Sequence, residues 1–152
     1  MGGFQRSAHG VACLFLLLNA CRLEAVGTEE ACRDLLPGDL VITEIHANPR
    51  GADADDEYVE LYNASGSAHL LGGVTLVTSR ADGTRPRTHR FAGVIAVDPG
   101  DYLVAGNAAA DALPPYVDYS YGSSLGSLRN ADAAVSLWCG TSLIDEMRYE
   151  RT

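Results

Sequence analysis

Gly122-Ser123-Ser124-Leu125-Gly126 has the spacing of a nucleophile elbow centred on Ser124, the turn that lifts a serine off a strand for acyl transfer. That chemistry needs a strand before the serine, a helix after it, and an acid and a histidine later in the chain. The last histidine is His89, upstream of the serine, and the text beyond Gly126 reads as a turn and a strand. A Gly-Ser-rich loop is the expected role. Glu44, Glu57 and Glu60 could be imagined as paired carboxylates for hydrolysis. In a strand, however, Glu57 and Glu60 point to opposite faces, which leaves them edge charge and local hydrogen bonding. His46, His69 and His89 lie on separate segments, without the i,i+4 pairing or cysteine partners of metal motifs. No catalytic residues are expected.

The ligand-like cluster is Asp53-Ala54-Asp55-Asp56-Glu57, four carboxylates within five residues. Hard cations seek such oxygen sets, and calcium takes six to eight of them in flexible loops. Asp53, Asp55, Asp56 and Glu57 are therefore the candidate ligands of a weak calcium site. The run lacks the glycine and terminal glutamate spacing of an EF-hand loop, so a solvated acidic loop is the plainer expectation. No other cofactor is implied. Asn63-Ala64-Ser65 is a formal glycosylation sequon.

The chain has no lysine and a net charge of −9. Such a surface repels phosphate backbones, because sequence-independent binding depends on cations that release counterions. Nucleic acid is not an expected partner, and simple docking on anionic lipid is equally disfavoured.

The elements that must position these residues begin after a leader. Residues 1–20 read as a signal: Arg6, then the apolar stretch Val11–Leu18. Eight residues make a helix of roughly 12 Å, far short of a bilayer core of about 30 Å. Leu18-Asn19-Ala20-Cys21 resembles a lipobox, which implies cleavage before Cys21 and lipid attachment to it. Arg22 after the cysteine points to outer-membrane sorting. Residues 21–38 form a tether that ends at Pro37-Gly38, and residues 39–152 form the domain. Cys13 leaves with the signal and Cys21 carries lipid, so Cys32 and Cys139 are the thiols that remain. An exported chain meets an oxidising compartment, where a Cys32–Cys139 disulfide is favoured. The alternative is a buried, unreactive Cys139 and an exposed Cys32.

From Asp39 the chain is a series of short apolar runs: 40–45, 58–62, 74–78, 88–91, 102–105, 134–139 and 142–149. Asn48-Pro49, Ala81-Asp82-Gly83-Thr84, Asp98-Pro99-Gly100-Asp101 and Cys139-Gly140-Thr141 supply turns between them. Strands of this length at near-regular intervals predict an all-β sandwich. Alternation puts Val135, Leu137 and Cys139 on one face, and Ser136 and Trp138 on the other.

Val41-Ile42-Thr43-Glu44-Ile45, Asp56-Glu57-Tyr58-Val59-Glu60-Leu61-Tyr62-Asn63, Leu71-Gly72-Gly73-Val74-Thr75-Leu76 and Asp98-Pro99-Gly100-Asp101-Tyr102-Leu103-Val104 occur in that order. Leu128-Arg129-Asn130, Val135-Ser136-Leu137 and Ile144-Asp145 follow, with Tyr149 near the end. Over roughly residues 39–149 this series resembles the lamin tail domain family. Val74 stands where the family often has tryptophan, and Asp132-Ala133 replaces a Gly-Asp pair. The resemblance implies an immunoglobulin-like β-sandwich acting as a non-catalytic recognition or scaffolding module. With the leader, the expectation is a lipid-anchored envelope protein that binds a protein or glycan. The alternative is an accessory domain or N-terminal fragment of a larger exported hydrolase.

Overall fold

The computed structural model describes residues 32–50 and 55–150; the leader, Cys21 and Asp53 lie outside the described residues. The chain forms β1 (Leu40–His46), β2 (Tyr58–Asn63), β3 (His69–Leu70), β4 (Val74–Arg80), β5 (Arg87–Arg90), β6 (Ala96–Val97), β7 (Tyr102–Gly106), β8 (Tyr119–Ser120), β9 (Ala133–Cys139) and β10 (Ser142–Tyr149). Each of the seven expected runs falls on a strand. The additional β3, β6 and β8 have two residues each, too few to show a period-2 pattern.

Two four-stranded sheets face each other, ordered β1-β2-β7-β8 and β10-β9-β4-β5, and β3 and β6 form a small ribbon. Pairing is antiparallel except between β7 and β8. The alternation read from the sequence sets the inner faces. In β2, Val59, Leu61 and Asn63 are buried while their neighbours are half-exposed. Val74, Leu76, Val135 and Leu137 answer from the second sheet, each at most 1% exposed. Burial of one such side chain contributes about 1.5–3 kcal/mol, and Leu76→Ala would forfeit that and leave a cavity. Asp132, in the turn before β9, has φ 53°. This is the left-handed backbone that an aspartate tolerates better than most residues.

Each sheet edge meets an edge of the other sheet. On the β1/β10 side the Ile42 amide donates to Asp145 Oδ2 at 2.7 Å. A register shift between Ile42 and Glu44 and another between Leu143 and Asp145 occur where these strands approach, as bulges do when they bend a strand and re-aim a side chain. The other seam, between β5 and β8, is closed by side chains described below.

A disulfide joins Cys32 to Cys139. Cys32 and Leu35 are 1% and 5% exposed and belong to the core, and the Gly38 amide donates to the Ile144 carbonyl at 2.9 Å. The packed unit therefore starts by Cys32 rather than at residue 39, because Leu35 and the sulfur bridge cover an apolar end of the sandwich.

Candidate functional site

The segment 121–129 crosses from the end of β8 to the turn before β9, and three groups hold it. Glu57, just ahead of β2, is 1% exposed. Its Oε2 accepts from the Leu128 amide at 3.0 Å and from Asn107 Nδ2 at 3.2 Å. Its amide donates to Asn107 Oδ1, and its carbonyl accepts from the Asn107 amide and the Tyr121 hydroxyl. Burial, and then the nearby Glu57 charge, push the Tyr121 phenol well above its ordinary value. Glu57 was a candidate member of the calcium set, with a solvated acidic loop as the plainer expectation. Its carboxylate instead turns into the interior, because residues 57, 59, 61 and 63 share the inward parity of β2.

The second group is His89, on the inward register of β5. Its Nδ1 lies 2.8 Å from Ser124 Oγ and its Nε2 lies 2.9 Å from the Tyr119 hydroxyl. Chain order had argued against a nucleophile elbow and said nothing of contacts; the structure brings His89 to Ser124 across the seam. The arrangement does not activate the serine. Ser124 Oγ donates its single proton to the Tyr121 carbonyl at 2.7 Å, and a tyrosine rather than a carboxylate sits at the far ring nitrogen. Tyr119 donates to Nε2 and accepts from the Ala92 amide. Every group is satisfied with a neutral, Nδ1-protonated ring, and burial holds His89 below the usual imidazole value. No helix follows Ser124 among the described residues. His89 is a clasp between the sheets.

The third group is Arg87, two residues earlier on the same face of β5. Its guanidinium lies over Gly126, so closely that a Cβ there would come 1.8 Å from Nη1. Arg87, with Arg80 at the end of β4, Arg85 in the β4–β5 turn and Arg129 after the loop, rings a recess of about 260 Å³. Leu125 and Leu128 line it with the hydroxyls of Ser127 and Tyr149. It opens where β4 ends and β9 begins, at the pole opposite Cys139. Among the described residues none of these arginines has a carboxylate within salt-bridge distance. Arg80 Nε is buried without a hydrogen-bond partner.

The lamin tail domain family matches residues 36–151. The chain belongs to the lamin tail domain family. No curated protein matches it.

The immunoglobulin-like lamin tail fold separates the other candidates. Asp55 (φ 73°) and Asp56 stay at the surface with exposed side chains, and Asp56 accepts from the Tyr116 hydroxyl at 3.3 Å. With Glu57 turned inward, no group of three or more metal-ligating side chains occurs among the described residues. His46 stacks on Tyr58, with centroids 4.9 Å apart. His69 Nε2 meets Ser65 Oγ at 2.8 Å and lies 3.7 Å from Asp39. Glu44 and Glu60 bond to Tyr58 and Thr43. Asn63 of the sequon is fully buried, and its amide donates to the Ser67 and Val97 carbonyls, both at 2.8 Å. The recess was missed because its arginines come from three stretches of sequence; the buried Glu57 was legible in the parity of β2.

Proposed function

We propose that this lamin tail protein is an exported, non-enzymatic binding or scaffolding module of the cell envelope. It is anchored by lipid on Cys21, at the outer membrane, and offers its sandwich to a protein or glycan. The observation that carries the reading is the Cys32–Cys139 bond, since disulfides persist in oxidising, exported settings and are rare in the cytosol. The apolar stretch 11–18 and the lipobox-like Leu18–Cys21 supply the route out and the anchor. A binding role is favoured over catalysis because Ser124 and His89, the pair best placed for chemistry, are tied into a closed network of hydrogen bonds.

Metabolic labelling with a palmitate analogue tests the anchor. The wild-type chain should be labelled and fractionate with the outer membrane, and Cys21→Ser should lose the label. Equal labelling of both forms overturns the anchored reading. A pull-down from envelope extract should then give a partner that saturates and is competed by excess unlabelled protein.

A further inference from the structure

We propose that the recess ringed by Arg80, Arg85, Arg87 and Arg129 binds a tetrahedral oxyanion, phosphate or sulfate, carried on a group of monosaccharide size. The inference rests on the binding-module reading for its setting, and the site itself is read from the geometry.

Charge comes first. Four of the eleven arginines of a chain with net charge −9 line one recess. Like charges gathered there repel one another; Asp82 and Asp132 lie beside Arg80 and Arg129, but no carboxylate among the described residues comes within salt-bridge distance of the four. Arg80 Nε is buried without an acceptor, so the part of Arg80 that faces the recess is left to the terminal nitrogens of its guanidinium. Arg85 adds a backbone observation. It has φ 54° directly before Pro86, a conformation that a non-glycine residue rarely adopts and that clusters at ligand sites. Gly126 has φ 62°, a backbone that favours glycine by itself, and this leaves room for the Arg87 guanidinium over it.

The chemistry of the lining selects the ligand class. Guanidinium forks match phosphate, sulfate and carboxylate oxygens. Four of them supply more donors than the two oxygens of a carboxylate take up, whereas a phosphate or sulfate ester offers three terminal oxygens. The volume of about 260 Å³ exceeds what one such ion fills, yet lies below the range of about 300–1,000 Å³ usual for drug-sized ligands. The exposed Ser127 hydroxyl can meet a sugar hydroxyl, and the Tyr149 hydroxyl, whose own proton goes to the Arg129 carbonyl, can accept from another. An extended polyanion is disfavoured. Asp82 and Asp132 border the adjoining depression with Arg80 and Arg129, so a second phosphate in line would meet carboxylates.

The test is calorimetry and thermal shift on the full chain in detergent, with glucose 6-phosphate, inorganic phosphate, glucose, and sodium chloride at matched ionic strength. Glucose 6-phosphate should bind saturably and raise Tm, whereas glucose and chloride should not. Arg87→Gln and Arg129→Gln should each weaken binding about tenfold or more. Arg90→Gln, on the outward register of the same strand, should leave it unchanged. A glucose 6-phosphate response no larger than that of chloride overturns the site, as does full affinity in the Arg87→Gln/Arg129→Gln double variant. Equal affinity for inorganic phosphate overturns the sugar component. Binding only to phosphatidylglycerol vesicles overturns the assignment in favour of lipid. None of these outcomes depends on Cys21, so a failed anchor and a failed site are told apart.

Discussion

Removing the Cys32–Cys139 bond should take away a large part of the domain's stability. The two cysteines are 107 residues apart. For a loop of that length the chain-entropy relation gives a loss of about 4.8 kcal/mol near 25 °C. Domains of this kind have about 5–15 kcal/mol in all, so the open form is marginal. The native side loses too, because Cys32 and Leu35 pack against the core and nothing else covalent holds them. The assay is urea unfolding of the wild type and of Cys32→Ser/Cys139→Ser. With a slope of about 1.5 kcal/mol per M, the midpoint should fall by about 3 M. Leu35→Ala, with the bond intact, should lose only about 2–5 kcal/mol from the cavity. A double variant whose midpoint lies within about 0.5 M of the wild type, under 1 kcal/mol on that slope, would refute the reasoning.

Glu57→Ala strands the Leu128 amide and the Asn107 side chain in the interior and should cost about 2–5 kcal/mol in urea unfolding; a loss below 1 kcal/mol contradicts the role assigned to it. His89 is held low by burial, so it binds fewer protons folded than unfolded. Its share of stability is complete above about pH 6.5 and drains as pH falls below that, towards the lowered folded value. Wild-type Tm should therefore drop more between pH 7.5 and 5.5 than that of His89→Gln, and parallel curves would count against the clasp. A fluorophosphonate probe should leave Ser124 unlabelled, because its proton is committed to the Tyr121 carbonyl; stoichiometric labelling lost in Ser124→Ala would show an activated serine.

The sandwich was legible because its inner faces are written as alternation. Val59 and Leu61, Val74 and Leu76, and Val135 and Leu137 each sit two apart and each point inward. The left-handed turn at Asp132 was legible from its residue type. What escaped was long-range or too short to repeat. Glu57 finds Asn107 fifty residues on and Leu128 seventy-one residues on, and no local pattern announces either partner. Chain order could not announce the contact of His89 with Ser124, since hydrogen bonding across a seam depends on which sheet edges meet and not on which residue comes first. The arginine recess is assembled from a strand end, a turn, an edge strand and a loop, and only the pairing of β4 with β5 and β9 brings these together. The two-residue β8 is set by its partner β7 rather than by its own sequence.

The sulfur bridge also decides how the domain would respond to tension. A pull on the chain ahead of Cys32 does not arrive first at Leu40. It crosses to Cys139 and leaves through Gly140 along β10, because β9 and every earlier strand lie inside the covalent loop. β10 is already extended over its eight residues, so tension along it adds little length and asks no other strand to part. The edge strand β1, the piece most easily peeled off one hydrogen bond at a time, lies inside the covalent loop and stays slack.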